Sequence, residues 1–102
     1  MATAEVGSKR TNDQWTLFTN HCHVLICIAS DPTLRMRDLA ARVGITERAV
    51  QRIVADLRDA GYLSLERRGR RNHYDVHTLR PMRHPVEGHR LVSELLDTIE
   101  AC

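Results

Sequence analysis

A mainly helical α+β fold is predicted, with three packed helices, a β-hairpin and an additional C-terminal helix. Three observations predict it. Apolar residues recur at helical spacing in successive segments between Asn20 and Ala60. Two stretches that alternate apolar and polar residues then flank Gly69-Arg70. A last apolar stripe follows His84-Pro85. Size agrees: 102 residues with 42% hydrophobic content suffice for one domain. Only Trp15, Phe18, Tyr62 and Tyr74 are aromatic, so the core must come from Leu, Val, Ile and Ala, which suits small helix pairs.

Thr19 or Asn20 can cap a first helix running to about Ser30, with Val24, Leu25 and Ile28 on one face and Asp31-Pro32 ending it. A short extended piece, Thr33 to Arg35, leads to a second helix on which Met36, Leu39, Ala40 and Val43 follow the i, i+3, i+4, i+7 rule. Arg35 and Met36 stand where a Ser or Thr cap is usual, so its first turn is expected to fray. Gly44 stops it. Thr46 then caps a third helix, with Glu47 placed against the positive helix end. Its apolar residues, Ala49, Val50, Ile53, Val54, Leu57 and Ala60, fall within an arc of about 140°, and Gly61 closes it as a left-handed cap. Leu63, Leu65, Tyr74 and Val76 mark the inner face of the hairpin. The last helix is expected to open at His84-Pro85, with Pro at its first position, and to run for about fifteen residues along Val92, Leu95, Leu96 and Ile99.

The second and third helices, joined by a turn with glycine, have the spacing of a helix-turn-helix. Ala40 is small where the third helix crosses, Gly44 permits the turn, and Val43, Ile45, Val50 and Ile53 lock the angle. Opposite the apolar arc, Arg48, Gln51, Arg52 and Ala55 recur at i, i+3, i+4, i+7. Arginine bonds guanine O6 and N7 in two places, glutamine does so with adenine, and a small alanine allows close approach. Asp56 and Asp59 would repel phosphate further along, so the N-terminal half is the part expected to enter a major groove. An ordinary solvated face would also carry Arg and Gln; position within this motif favours DNA.

Arg67, Arg68, Arg70 and Arg71 straddle Gly69, with only Glu66 nearby to offset them. Together with Asn72 they make the hairpin a candidate wing for phosphate or minor-groove contact. Cationic residues also protect sheet edges from aggregation, but four arginines at one tip exceed that need.

From about Asn20 to Val76 the sequence resembles the winged helix-turn-helix domain of MarR- and ArsR-type regulators, through RDLAARVGITERAVQRIVADLRDAGYL and ERRGRRNHYDV. The resemblance implies that the helix after the turn, through Thr46, Arg48, Gln51 and Arg52, lies in the major groove. It implies that Arg67 to Asn72 touch the backbone or minor groove. The long flanking helices of full-length MarR-type proteins have no counterpart in this sequence.

The expected organisation is a flexible arm over 1–13, a DNA-binding domain over 14–83 and a C-terminal helix over 84–102. In that helix Leu91, Val92, Leu95, Leu96 and Ile99 need a partner and are assigned to homodimerisation. The expected function is sequence-specific binding of double-stranded DNA, with repression of transcription. A protein-docking winged helix and a metal-responsive regulator are the alternatives. Docking would require apolar residues to break the Arg48–Gln51–Arg52–Ala55 face, and they do not. Fourteen of fifteen cationic residues are Arg, yet the net charge of +2 is too small to identify a partner by itself. No glycine-rich phosphate loop, nucleophile elbow or catalytic carboxylate pair marks an enzyme.

His21, Cys22 and His23 have metal-ligand chemistry, but on a helix the two histidines point about 200° apart. His84, Glu87 and His89 form a second loose group. Zinc needs three or four converging ligands, so no metal or other cofactor is expected. Cys22, Cys27 and Cys102 are odd in number and show no CxxC spacing. Cys22 and Cys27 lie on an apolar helix without a local basic partner and read as buried structural thiols. With no secretory h-region over Met1 to Asp13 and no apolar run long enough for a membrane span, a reduced, cytoplasmic protein is expected.

Overall fold

The computed structural model describes residues 15–99. Its elements are α1 (Asn20–Ser30), α2 (Met36–Val43), α3 (Glu47–Asp59), β1 (Leu63–Arg68), β2 (Arg71–Val76) and α4 (Val92–Thr98). The expected N-terminal arm and Cys102 lie outside the described residues. No described helix is long and apolar enough to cross a membrane.

Local chemistry sets each helix boundary. The Thr19 hydroxyl accepts the Cys22 N–H at 3.2 Å to open α1. In place of a hydroxyl cap, α2 uses Asp38 of its own first turn, whose carboxylate accepts the Arg35 N–H at 3.2 Å; this holds the turn that the sequence left to fray. Gly44 follows at φ +83°, in the left-handed region that favours glycine, and its N–H reaches Ala40 O at 2.8 Å. The Thr46 hydroxyl accepts the Ala49 N–H at 3.0 Å to start α3, and Gly61, at φ +87°, turns the chain out of it.

The buried faces of α1, α2 and α3 meet in one core. Val24, Ile28, Leu39 and Val50 are fully enclosed, with Ile53, Val54 and Leu57 around them and Met36, Val43 and Ile45 packed at the edge. Ala40 is buried where the helices cross. This is the interlock anticipated from Ala40, Gly44 and the flanking branched residues, and the three-helix core with a hairpin and a fourth helix is a winged helix.

β1 and β2 pair antiparallel, with Leu63 opposite Val76, Leu65 opposite Tyr74, Arg67 opposite Asn72 and Arg68 opposite Arg71. Opposed residues share a face, so the first two pairs close the core while Arg67 and Asn72 continue that face beyond it. The turn is only Gly69-Arg70; Gly69 has φ +64° and no other residue of the turn is left-handed, the signature of a type II′ hairpin. On its free edge β2 is tied to the body: Tyr74 N–H donates to Pro32 O at 3.0 Å.

The last helix departs from the sequence reading. It starts at Val92, not at His84-Pro85, and spans seven residues. Residues 84–90 instead form consecutive turns, with Glu87 N–H bonded to His84 O and Arg90 N–H to Glu87 O. Three contacts fix this course. Pro81 and Leu91 form a bridge, the Tyr62 hydroxyl donates to Pro81 O at 2.9 Å, and Val92 and Ser93 N–H groups bond Arg80 and Thr78 carbonyls. A helix from Pro85 would break the first and the last, because it would take up the backbone groups of Leu91, Val92 and Ser93. Glu94 caps the shortened helix by accepting the Leu91 N–H at 2.8 Å.

Candidate nucleic-acid interface

α3 divides cleanly between two environments. Val50, Ile53, Val54 and Leu57 are buried, whereas Arg48, Gln51 and Arg52 are exposed. Thr46, Arg48, Gln51 and Arg52 together line one shallow depression on the outer surface, so the structure brings these four predicted residues into a single face. Ala55 is exposed one turn further along α3, where it lines a second hollow with Arg58 and with Ser64 and Leu65 of β1. It marks the junction of α3 with the hairpin.

Asp56, which would repel phosphate, turns the other way. Its Oδ2 lies 2.9 Å from Nε2 of His21 on α1. His23 instead faces Asn20, with Nδ1 3.1 Å from Oδ1. The two histidines are thus engaged separately, and His84 Nδ1 accepts the Val86 N–H. Among the described residues no three metal-ligating side chains converge.

The wing arginines are not equivalent. Arg68 pairs with Glu66 at 3.1 Å, both side chains well exposed. Arg71 reaches back to the body, where its Nε donates to Thr33 O at 3.2 Å. Arg67, Arg70, Arg71 and Asn72 line a cleft whose opposite wall is the start of α2, including Arg35. Arg35 was missed from sequence, where its place as an irregular cap hid its second position beside the wing. Asp31 stands behind this region. Its carboxylate accepts from the Thr33 hydroxyl at 2.7 Å and the Thr33 N–H at 3.1 Å, and these bonds, aided by the charges of Arg42 and Arg71, hold its pKa below the ordinary carboxylate value.

His77 anchors the base of the hairpin. Its Nδ1 lies 2.7 Å from Gly61 O and its Nε2 lies 3.1 Å from Ser64 Oγ. With the proton on Nδ1 the ring donates to the carbonyl and accepts from the hydroxyl, which ties the end of α3 to both strands.

On the opposite side a cleft of about 620 Å³ opens between α1, the end of α3 and the loop before α4. Leu25, Leu57, Tyr62 and Leu95 contribute to its walls. Cys22 also borders it, half-buried, not fully buried as expected; Cys27 is buried. Burial pushes the Cys22 thiol above its usual pKa, which favours the unreactive protonated form.

A family model for winged helix-turn-helix DNA-binding domains matches residues 18–64. Among solved structures, the chain is similar to the PcaV transcriptional regulator from Streptomyces coelicolor, determined in complex with its natural ligand. That likeness has a TM-score of 0.51 at 20% identity and covers 74% of this chain and 67% of that one. At such identity it is a likeness of fold. No curated protein matches the chain.

Proposed function

Because residues 18–64 match a family model for winged helix-turn-helix DNA-binding domains, we propose that the chain is a sequence-specific transcriptional regulator, not an enzyme, and that it represses by occupying a promoter. α3 enters the major groove, and the wing over residues 66–72 contacts backbone or minor groove. One observation carries this reading: Thr46, Arg48, Gln51 and Arg52 form one exposed polar face at the N-terminal end of α3, with half-buried Ala49 the one apolar side chain that borders it. That is the end which helix-turn-helix proteins present to bases, and those side chains match the donor and acceptor pattern of base edges. Homodimerisation and a cytoplasmic location complete the proposal, since two-fold regulators read paired half-sites.

Selection of bound duplexes from a random pool tests it, with two-fold symmetry in the enriched sequences as the expected result. Enrichment of no sequence would remove specific recognition. On the selected site, Arg52→Ala is expected to relax preference at one base pair and cost about 1–3 kcal/mol. An equal loss on all sequences would instead make Arg52 a phosphate contact.

A further inference from the structure

We propose that the wing and the start of α2 form a clamp for a single DNA phosphate, with Arg35 and Arg67 as its two jaws and Arg70 beside them. The inference rests on the DNA binding proposed above, and it adds a residue outside both the reading helix and the wing.

The cleft between the two elements is lined by Thr33, Arg35, Arg67, Arg70 and Asn72, among others, and no carboxylate lines it. Its volume of about 190 Å³ is below the roughly 300–1,000 Å³ of pockets for organic ligands. A small anion is the occupant that suits both size and charge, and guanidinium groups bind phosphate through paired donors. The nearby carboxylates are already engaged elsewhere. Asp31 accepts from Thr33, Asp38 accepts the Arg35 N–H, and Glu66 pairs with Arg68 on the other face of the hairpin.

The cleft is also held open at a fixed width. Arg71 Nε to Thr33 O and Tyr74 N–H to Pro32 O, at 3.2 and 3.0 Å, fasten β2 to the segment that leads into α2. Arg67 and Asn72 project from the inner face of the sheet towards that segment, because they share the face of Leu65 and Tyr74. Two guanidinium groups on separate elements are thereby presented to one site before DNA arrives, which lowers the ordering cost of binding. Within this arrangement Arg71 acts as a tether and Arg68 is offset by Glu66, so the four wing arginines divide by role.

The test uses the full chain and a duplex of random sequence, with affinity measured across a salt series. Each neutralised phosphate contributes about 0.9 to the log–log slope. Because one phosphate is shared, either arginine alone still neutralises it: Arg35→Ala and Arg67→Ala should each weaken binding with little change of slope, and only the double variant should make the slope shallower by about 0.9. Arg90→Ala, whose side chain pairs with Glu94 away from the cleft, should leave the slope unchanged. A slope shallower by about 0.9 in either single variant, or an unaltered slope in the double variant, overturns the clamp while leaving DNA binding intact. Failure of the unaltered protein to bind any duplex overturns the proposed function as well. Matching thermal melts confirm that these exposed substitutions leave the fold in place.

Discussion

At Asp31 one side chain both ends α1 and shapes the approach to α2. Its carboxylate gathers the hydroxyl and N–H of Thr33, while its own N–H reaches Cys27 O at 3.0 Å. These bonds favour the charged form, so its pKa lies below the ordinary value of 3.8. The resulting stabilisation is present above that ordinary value and is lost as pH falls through the lower folded value. Asp31→Ala should therefore lower Tm at neutral pH, with the difference from the unaltered protein closing in strong acid. A difference that persists at the lowest pH would assign it to something other than the carboxylate. Gly61 is a second position where a single residue decides. Its φ is +87°, and an added Cβ would stand 2.9 Å from Arg80 Cζ. Gly61→Ala should destabilise by more than about 1 kcal/mol in urea titrations, chiefly through the backbone, since the arginine end can swing aside.

At the scale of elements, α3 depends on its first turn for both stability and presentation. Thr46 satisfies the Ala49 N–H and borders the same depression as Arg48 and Arg52. Thr46→Ala should cost about 1 kcal/mol in thermal unfolding and weaken binding to the selected operator; Thr46→Ser should restore most of the stability. If Thr46→Ala melts as the unaltered protein does, the cap is not contributing. The helices α1 to α3 were legible because amphipathic spacing agrees with local boundary signals along each one: Thr19 and Asp31-Pro32 for α1, Gly44 for α2, and Thr46 and Gly61 for α3. α4 was not. Its apolar stripe and Pro85 gave a coherent helical pattern, yet the backbone groups of Arg80, Pro81 and Met82 are taken up by residues 62 and 90–92. Those bonds link positions distant in sequence, which periodicity does not record. The same holds for Arg35, whose proximity to the wing depends on β2 lying along Pro32 and Thr33.

Across the whole molecule, one core fixes the relation between the reading helix and the wing. α3 buries its inner face against α1 and α2, and the hairpin closes over the same cluster through Leu63 and Tyr74. The C-terminal stripe divides between inner and outer duties. Val92 is 2% exposed and belongs to the chain's own core, with Leu96 packed against it, so Val92 is removed from the dimer contacts expected from sequence. Leu91, Leu95 and Ile99 are only half-buried, and Trp15 and Leu17 are 79% and 85% exposed. Leu95→Glu should reduce self-association in sedimentation experiments while leaving the monomer folded, because Leu95 borders an open cleft and lies outside the core cluster. A monomer at all concentrations in the unaltered protein would remove the dimer.

By itself the sequence determined the helix-turn-helix, the place and inner face of the hairpin and the residues on the outer face of α3. These follow from local periodicity, caps and turns, which act between residues near one another in the chain. Only the tertiary structure decided where the last helix begins, which wing arginines are already engaged, and that Arg35 faces Arg67 across a narrow cleft. Each of those outcomes is set by hydrogen bonds and packing between segments far apart in sequence.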